Sequence, residues 1–394
     1  MIADYMAKTM KRRLRLVVLM PLNVSNGRGV PRFVINMFRF FPREHFDLFL
    51  VQSSWTDYER LAREDYEEFI NENNSLTFKD HYNCLNFLMK NRITILLLFF
   101  LLKPVAVYLN SIFLEREVKN KIKSADLVYV TSNYHRALAR FNKNQIGSGH
   151  NLYFWNGLLG KLYSFLTSKG VLNRFPYIHI FPNQERYFSR YRGKKIIIPL
   201  GIDTFSFLPK NNSSGLIKLL FVGGLDRSKG LDILLEAYRD LKHPPYELHI
   251  VGKGSLEGEV QERESLGIFY HGPLSEDKLA EIYSGCDILI LPTRSDIYST
   301  VILEALSSGL FVITSSLLRG TFDVYEQAGF LKYCDLSSEC LLKGISTFSS
   351  KKHDYNVREN IHNMVRDNNE AREIFRKLSE SIYESYYSTH RDGD

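Results

Sequence analysis

The second half of the chain alternates short apolar runs with amphipathic stretches. The runs are rich in Ile, Leu and Val, and the stretches between them repeat apolar residues with a helical period. This alternation is typical of β-α-β units and predicts a parallel, doubly wound sheet. The predicted strands are 217–222, 247–251, 268–271, 287–291 and 310–314, and the predicted helices are 231–241, 256–266, 276–284 and 301–308.

The first half of the chain shows the same alternation with less regular spacing. Residues 30–41 have the apolar spacing of a helix, and they follow an apolar run at 14–20 that predicts a strand. The Gly- and Asn-rich segment around 142–170 predicts no regular element. Besides 14–20, the predicted strands of this half are 46–52, 127–131, 177–181 and 195–199.

The length of the chain favours two domains. A chain of 394 residues exceeds one ordinary hydrophobic core and suits two α/β domains of similar size. The two halves meet near residues 198–203, and the polar segment 209–215 that follows is rich in breakers. We expect an N-terminal Rossmann-like domain over 1–198 and a C-terminal one over 199–375. Residues 376–394 are expected to form a helix and tail that pack back on the N-terminal domain.

The composition is that of a globular protein with a mild basic bias. Hydrophobic residues make up 44% and charged residues 24% of the chain. The formal net charge of +7 favours anionic partners such as nucleotide phosphates, lipid phosphates or a negatively charged membrane surface. No nucleic-acid-binding fingerprint accompanies this charge, so we expect no nucleic acid partner. The four cysteines form no C-x-x-C pair, which indicates free thiols in the cytoplasm.

Two apolar stretches raise the question of membrane contact. Residues 14–22 follow basic residues as in a signal peptide, but Arg15 interrupts them and no cleavage site follows, so we interpret them as the first strand. The uninterrupted run 93–102 is shorter than the roughly 20 residues that span a bilayer. Basic residues flank this run. Residues 93–109 are therefore either a buried helix or an interfacial helix at the inner face of the cell membrane.

Glycines and cations are concentrated in the segments that follow the predicted strands of the second half. Ligands of a parallel sheet bind beyond the carboxyl ends of its strands. Glycines let the backbone approach a ligand closely, and Lys and Arg neutralise phosphate oxygens. The candidate ligand-binding residues in these segments are Gly224, Arg227, Lys229, Gly252, Gly272, Pro273 and Leu274.

The segment after the predicted strand 287–291 contains a carboxylate and then opens into a helix. A helix that begins near Ser299, Thr300 and Val301 points free N–H groups and a partial positive charge at the crevice, which suits a diphosphate. Glu304 lies one turn into that helix, where it can accept hydrogen bonds from ribose hydroxyls. Asp296, which precedes the helix, is also compatible with a plain turn acceptor.

The second half resembles a known family in the order and spacing of five blocks. The segment from about 196 to 316 is similar to the donor-binding domain of family-4 retaining glycosyltransferases, through IIIPLGIDTFSF, FVGGLDRSKGLDILLEAY, ELHIVGKG, FYHGPLSEDKLAEIYSGCDILILPTRSD and STVILEALSSGLFVITS. The first half resembles that family only in outline, through LRLVVLMPLNVSNGRGVPR, SADLVYVTS and KIIIPLGID. The resemblance implies the GT-B fold, with two doubly wound Rossmann-like α/β domains that face a central cleft.

The resemblance also implies roles for individual residues. Glu304 matches the second acid of the family's E-x7-E motif, which holds the donor ribose, and Asp296 takes the place of the first acid, which contacts sugar hydroxyls. Because Asp is one methylene shorter than Glu, the identity of the sugar stays open. Lys229 matches the diphosphate lysine, whereas Gly224 replaces a companion arginine for which Arg227 is the candidate substitute. Gly272, Pro273 and Leu274 are expected against the base, and the backbone of Ser299, Thr300 and Val301 near the diphosphate.

The first half contributes two weaker candidate sites. Gly27 and Gly29 follow the first predicted strand, where the resemblance implies a glycine-rich loop that faces the donor phosphates. A plain loop before the next helix explains these glycines equally well. His150 falls roughly where family members have a histidine at the cleft, which implies contact with the transferred sugar or the acceptor. A structural histidine is the alternative, and His135 competes for the same role.

The function implied by the resemblance is sugar transfer from a UDP- or GDP-sugar, with retention of configuration, to a glycan or lipid-linked acceptor. The pathway would be the assembly of cell-surface glycans, polysaccharides or glycoprotein glycans. The candidate catalytic residues are Asp296, Glu304 and His150, and the leaving phosphate oxygen serves as the base. No metal or cofactor is expected, because cations and helix-terminal amides stabilise the leaving diphosphate.

Other functions remain as alternatives. A phosphorylase with this fold needs a lysine-bound pyridoxal phosphate and a much longer chain, and a sugar-nucleotide epimerase is a related option. A catalytically inactive GT-B scaffold or partner subunit stays open because of Gly224 and Asp296. A nucleic-acid-binding protein would have to show salt-dependent binding.

Overall fold

The structure divides the chain into two units. The first unit consists of Met1–Pro199 and Ile374–Asp394, and the second of Leu200–Glu373. The first unit is therefore discontinuous in sequence, whereas the second is continuous. The structure, a computed structural model, describes residues 12–20, 29–54, 75–79, 115–131, 140–149, 174–211, 215–241, 246–263, 267–296, 298–351 and 354–390.

The first unit is built on a parallel sheet. Its strands are β1 (Leu14–Met20), β2 (Phe46–Ser54), β3 (Ser75–Lys79), β4 (Leu127–Val130), β5 (Gln145–Ser148), β6 (Tyr177–Ile180) and β7 (Lys194–Ile197). Within the described residues these seven strands follow the order β3-β2-β1-β4-β5-β6-β7, and each neighbouring pair is parallel. Every residue of β1 except Arg15 is buried, as expected for a strand of a parallel sheet that is covered on both faces.

Two helices of the first unit pack by their apolar residues. Helix α1 (Gly29–Phe40) buries Phe33 and Val34, and one turn later Met37 and Phe38, so that one stripe faces the core. Helix α2 (Arg116–Ser124) buries Val118 and Ile122 and exposes most of its charged residues.

The second unit has its own parallel sheet. Its strands are β8 (Ile217–Val222), β9 (Tyr246–Val251), β10 (Ile268–Gly272), β11 (Ile288–Leu291), β12 (Phe311–Ser315) and β13 (Leu331–Cys334). The order of these six strands, counted over the described residues, is β10-β9-β8-β11-β12-β13. Along the chain, β9 and β10 lie on one side of β8, and β11 then returns to its other side. The strand order thus reverses between β8 and β11, which is where ligands of doubly wound sheets bind.

Helices connect the strands of the second unit and continue beyond the last one. They are α3 (Leu231–Asp240), α4 (Glu257–Gln261), α5 (Glu276–Gly285), α6 (Thr300–Ser307), α7 (Asp323–Gln327), α8 (Ser338–Ser349) and α9 (Tyr355–Asn369). In the described part of the chain, no helix is both long enough and apolar enough to cross a bilayer. Residues 93–109 lie outside the described residues.

The last helix, α10 (Ala371–His390), belongs to the first unit from residue 374 onward. The ring of Phe375 lies 5.3 Å from that of Phe33 in α1. The ring of Tyr383 lies 6.2 Å from that of Phe46, at the start of β2, in an edge-to-face arrangement. The helix is therefore part of the hydrophobic core of the first unit.

A short backbone pairing joins the start of the second unit to the residues around the start of α10. The amide of Ile202 donates to the carbonyl of Asn369 at 2.9 Å, and the amide of Ala371 donates to the carbonyl of Ile202 at 2.8 Å. The side-chain amide of Asn369 also donates to the carbonyl of Leu200 at 2.7 Å. These bonds hold two segments that are far apart in sequence side by side.

The strand predictions agree well with the structure. Strands 14–20 and 217–222 are confirmed to the residue, and the other predicted strands differ by one or two residues at their ends. Residues 14–20 of the stretch that resembled the start of a signal peptide form the strand β1, which is buried except for Arg15. The predicted helix 256–266 was wrong in length, because α4 ends at Gln261 and buries only Val260, too little apolar surface to extend it. Strands β3, β5 and β13 were not predicted.

Candidate functional site

The loop after β8 is shaped by an aspartate cap. Asp226 precedes a 3-10 helix at Arg227–Lys229, and its Oδ1 accepts from the amides of Ser228 at 2.8 Å and Lys229 at 3.2 Å. A Cβ on Gly224 would lie 2.8 Å from the Oδ2 of Asp226. A larger residue at position 224 would therefore have to displace this carboxylate oxygen of Asp226.

Two glycines, the candidate Gly252 and its neighbour in the next loop Gly230, are required by the close packing of neighbouring loops. A Cβ on Gly252 would lie 1.9 Å from the carbonyl oxygen of Gly223. A Cβ on Gly230 would lie 1.9 Å from the carbonyl oxygen of Pro292, and Gly230 has a φ of 77° that disfavours other residues. The loops after β8, β9 and β11 thus contact one another through backbone atoms at the point where the strand order reverses.

Arg294 fastens the loop after β11 to the loop after β8. Its guanidinium forms a two-pronged pair with Asp232, at 2.7 Å and 3.0 Å, and also donates to the carbonyl of Arg227. Its backbone amide donates to the carbonyl of Ser228 at 2.7 Å. Burial alone would raise the pKa of Asp232. The hydrogen bonds and charge of Arg294 nevertheless hold that pKa below its ordinary value. We refer to these contacts of Arg294 as the arginine clamp.

The structure brings two of the predicted residues into direct contact. The ammonium of Lys229 donates to the Oδ1 of Asp296, and the two side chains are 28% and 16% exposed. The Oδ2 of Asp296 is buried and has no hydrogen-bond partner among the described residues. Asp296 is therefore not the plain turn acceptor that the sequence left open. It forms an ion pair near the place where the strand order reverses between β8 and β11, and its Oδ2 can accept a further hydrogen bond.

Helix α6 begins at the same place. Ser299 precedes the first helical residue, Thr300, and its side chain does not cap the helix. The N-cap side chain therefore leaves the first backbone N–H groups of α6 uncapped, an arrangement that suits an anion. Glu304, one turn into the helix, is only 4% exposed and accepts a hydrogen bond of 3.0 Å from the hydroxyl of Tyr283. Val301 occupies the first turn beside Thr300.

The loop after β10 continues this edge of the sheet. The amide of Gly252 donates to the carbonyl of Gly272 at 2.9 Å, and the hydroxyl of Tyr270 donates to the carbonyl of Gly252 at 3.0 Å. Beside these backbone contacts, Pro273 is exposed and Leu274 is half-buried. We refer to the surface formed by Gly272, Pro273 and Leu274 as the ledge.

Two histidines contact each other in the strands next to the ledge, His249 in β9 and His271 in β10. The Nδ1 of His249 lies 3.0 Å from the Nε2 of His271, and the two rings are stacked. Burial lowers the pKa of both rings below the ordinary value for histidine, and their mutual repulsion lowers the pKa of His249 further. The pair is therefore neutral near pH 7, with one ring donating to the other.

The remaining predicted residues are not all brought into this site. Arg227 is exposed beside Lys229 and has no side-chain hydrogen bond or ion pair among the described residues. Gly29 is the first residue of α1 in the first unit. Gly27, His135 and His150 lie outside the described residues. Within the part of the chain that the structure describes, no three His, Cys, Asp or Glu side chains are grouped as metal ligands would be.

Sequence reasoning missed several residues that build the site. Tyr283, Asp232 and Arg294 gave no local signal, because each acts through a partner that is distant in sequence. Tyr298 is a fourth such residue, since its hydroxyl accepts from the side-chain amide of Asn369 at 3.3 Å. A lone charged or aromatic residue in a loop is usually solvated or packed, and only the tertiary structure shows these contacts.

Residues 217–345, which include most of this site, match the family described as glycosyl transferases group 1. Similar curated proteins include a D-inositol 3-phosphate glycosyltransferase of Xylanimonas cellulosilytica, 25% identical over 31% of this chain. The sulfoquinovosyl transferase SQD2 of Arabidopsis thaliana is 26% identical over 48% of this chain. The chain spans 34% and 39% of the length of these two relatives.

Similar solved structures cover nearly the whole chain. Anabaena Alr3699/HepE in complex with UDP and glucose has a TM-score of 0.66 at 14% identity, over 93% of this chain and 99% of that one. The sucrose-phosphate synthase of Thermosynechococcus elongatus has a TM-score of 0.68 at 16% identity, over 96% of this chain and all of that one. At this identity the likeness shows the fold alone, and the fold is GT-B with two α/β units.

Proposed function

We propose that this chain, whose residues 217–345 match the glycosyl transferases group 1 domain, is a glycosyltransferase that uses a nucleotide-sugar donor. The observation that carries the proposal is a convergence at the carboxyl ends of β8 and β11. There the ammonium of Lys229 lies in the loop after β8, and the start of α6 and the buried Glu304 belong to the helix that follows β11. These are a cation, free amides and a carboxylate, which suit phosphate oxygens and sugar hydroxyls.

The proposed roles follow from position. Lys229 and the first amides of α6, near Ser299 and Thr300, bind the diphosphate, and Glu304 accepts from the ribose hydroxyls. Tyr283 donates to one carboxylate oxygen of Glu304 and so fixes its orientation. Asp296 accepts from hydroxyls of the transferred sugar. The ledge of Gly272, Pro273 and Leu274 lies against the base, with the backbone of Gly252 and Gly224 beside it.

The proposed reaction breaks the bond between the anomeric carbon and the diphosphate. Negative charge gathers on the leaving diphosphate as the bond breaks, at the position where the ammonium of Lys229 and the first amides of α6 are proposed to bind it. They therefore stabilise the transition state more than the bound donor. We propose retention by attack from the same face, with the leaving phosphate oxygen taking the acceptor proton and no side chain acting as a dedicated base.

The donor and acceptor classes are also proposals. A UDP-sugar is favoured over a GDP-sugar because the structure of the similar Anabaena protein is a complex with UDP and glucose. The proposed acceptor is a glycan or a lipid-linked glycan, and the protein acts at the cytoplasmic face of the membrane. The net charge of +7 supports peripheral contact with anionic lipids, in which 93–109 would take part. Flotation with anionic vesicles at low salt tests this contact, and a protein that stays unbound contradicts it.

The test of the proposed function is a donor screen. UDP-, GDP-, ADP- and dTDP-sugars are added to the purified protein without metal, and the melting temperature and the release of nucleotide are measured. We expect one donor class to raise the melting temperature and to be hydrolysed slowly. Glu304→Gln keeps the shape of the side chain, and it should lower the rate by on the order of 100-fold because it removes a buried charged acceptor.

The matched control is Glu281→Gln. Glu281 is an exposed glutamate on α5, and its loss should leave both readouts unchanged. Equal activity of Glu304→Gln and the native protein would contradict the assignment of Glu304. A native protein that melts cooperatively but responds to none of the donors would contradict the enzyme itself.

The alternative, an inactive GT-B scaffold or partner subunit, is favoured by two observations. Asp226 fills the space beside Gly224, where the family places an arginine, and Lys229 is already paired with Asp296. Both features reduce the positive charge at the diphosphate position. The same donor screen separates the two functions, because a scaffold would show neither stabilisation nor hydrolysis.

A further inference from the structure

The pair of Lys229 and Asp296 is incompletely satisfied. The Oδ1 of Asp296 accepts from the ammonium of Lys229, while its Oδ2 is buried without a hydrogen-bond partner among the described residues. A buried carboxylate oxygen without a partner is costly, and it is relieved by any hydroxyl that reaches it. A further hydrogen-bond donor at the Oδ2 of Asp296 would therefore stabilise the pair.

The same carboxylate opposes a bound diphosphate. A diphosphate held by Lys229 brings negative charge to within a few ångströms of Asp296, in a site that is only partly exposed to water. Like charges at such a distance repel, and the carboxylate also competes for the N–H groups of the ammonium. Asp296 thus weakens the binding of any diphosphate that brings no hydrogen-bond donor with it.

The loop after β11 is anchored near Asp296, which limits how far it can move this carboxylate away from a bound diphosphate. The arginine clamp ties Arg294 to Asp232 and Ser228, two residues from Asp296. The amide of Ser295 also donates to the hydroxyl of Thr293 at 3.3 Å. Because these contacts hold the backbone at Arg294 and at the amide of Ser295, the adjustment falls to the side chains of Lys229 and Asp296.

We propose that Asp296 exchanges partners during the reaction and thereby selects the intact donor over the nucleoside diphosphate product. With a nucleotide sugar bound, hydroxyls of the sugar donate to Asp296, and the ammonium of Lys229 turns to the diphosphate. After transfer, the sugar hydroxyls leave, Asp296 pairs again with Lys229, and the nucleoside diphosphate loses its cation. This inference rests on the proposed function and adds a role in product release.

The experiment measures binding by titration calorimetry for the native protein and for Asp296→Asn. The probes are UDP, UDP-glucose, GDP, GDP-mannose and inorganic pyrophosphate. For Asp296→Asn we expect pyrophosphate and the nucleoside diphosphate to bind about 5- to 10-fold more tightly, because the competing charge is gone. The matching nucleotide sugar should bind no more tightly than to the native protein, so the preference for the intact donor shrinks.

Two controls separate this effect from a general change of charge. Asp277→Asn removes one exposed carboxylate on α5 and should leave all affinities unchanged. In a Lys229→Gln background, Asp296→Asn should give no gain for pyrophosphate, because the gain depends on the released ammonium. If Asp296→Asn lowers the melting temperature strongly, Asp296→Ser repeats the comparison.

The outcomes are distinguishable from those of the proposed function. Weaker or unchanged binding of pyrophosphate and of the nucleoside diphosphate to a folded Asp296→Asn protein overturns the exchange of partners. An equal gain in Asp277→Asn also overturns it. Tighter binding of pyrophosphate without binding of any nucleotide sugar upholds the competition within the pair, but it overturns both the selection of donor and the proposed function.

Discussion

The two ends of strand β11 carry two very different ion pairs. At its amino end, Asp287 pairs with Arg358 at 2.8 Å, and the side chains are 4% and 1% exposed. The second oxygen of Asp287 accepts from the amide of Lys218 at 2.8 Å, so both oxygens have partners. At its carboxyl end, Asp296 pairs with Lys229, both side chains are partly exposed, and one carboxylate oxygen has no hydrogen-bond partner in the described part of the chain.

The difference separates a structural pair from a functional one. A fully buried ion pair is tolerable only when hydrogen bonds satisfy its charges, and the pair of Asp287 and Arg358 comes close to that condition. A partly exposed pair with unused acceptor capacity can change partners at little cost, as the pair of Lys229 and Asp296 is proposed to do. In parallel sheets the second kind belongs at the carboxyl ends of the strands, where ligands bind.

The largest effect that this comparison predicts is on stability at the amino end. Arg358→Met keeps much of the side-chain volume but leaves Asp287 buried without its cation. We expect the free energy of unfolding of the second unit to fall by about 3–5 kcal/mol. Urea unfolding followed by circular dichroism measures the loss.

The matched control is the same kind of substitution at the other end of the strand. Lys229→Met should cost about 1 kcal/mol or less, because the pair of Lys229 and Asp296 is partly solvated. Equal losses for Arg358→Met and Lys229→Met would remove the distinction between the two pairs.

A smaller effect is expected from loosening the arginine clamp. Arg294→Ala and Asp232→Asn each break the two-pronged pair, whose side chains are 36% and 25% exposed and which should contribute little to stability. Because the clamp positions Asp296 beside Lys229, we expect kcat/KM for the donor to fall roughly 10-fold in each variant, with unfolding changed by less than about 1 kcal/mol.

The double variant of the clamp decides how the two residues act. If Arg294 and Asp232 act only through each other, the double variant should be no worse than either single one in a steady-state assay. Additive losses would show that the clamp is not one unit. Unchanged kcat/KM in both single variants would remove the positioning role of the clamp.

The sequence predicted the second unit well because its signals are local. Strand β8 is an apolar run, interrupted by Lys218, that ends at Val222 just before Gly223. Lys229 and Glu304 each lie in a loop or helix start with recognisable chemistry. Since parallel strands place their carboxyl ends at one edge, local motifs were enough to predict which loops meet there.

The parts that were not predicted depend on contacts across the chain. Strand β5 reads QIGS, yet all four residues are buried, and the side-chain N–H of Gln145 donates to the carbonyl of Asn142 at 2.5 Å. The pairing of Lys229 with Asp296 joins residues in two different loops. No periodicity or propensity reports such contacts, since neither residue alters the local pattern of its partner.

Helix α10 has a consequence for the order in which the chain acquires its structure during synthesis. The helix supplies Phe375 and Tyr383 to the core of the first unit, but the ribosome makes it after the whole second unit. The sheet of the first unit therefore emerges long before the helix that covers part of it. The continuous second unit can fold as soon as it is made, whereas the unit synthesised first is the last to be completed.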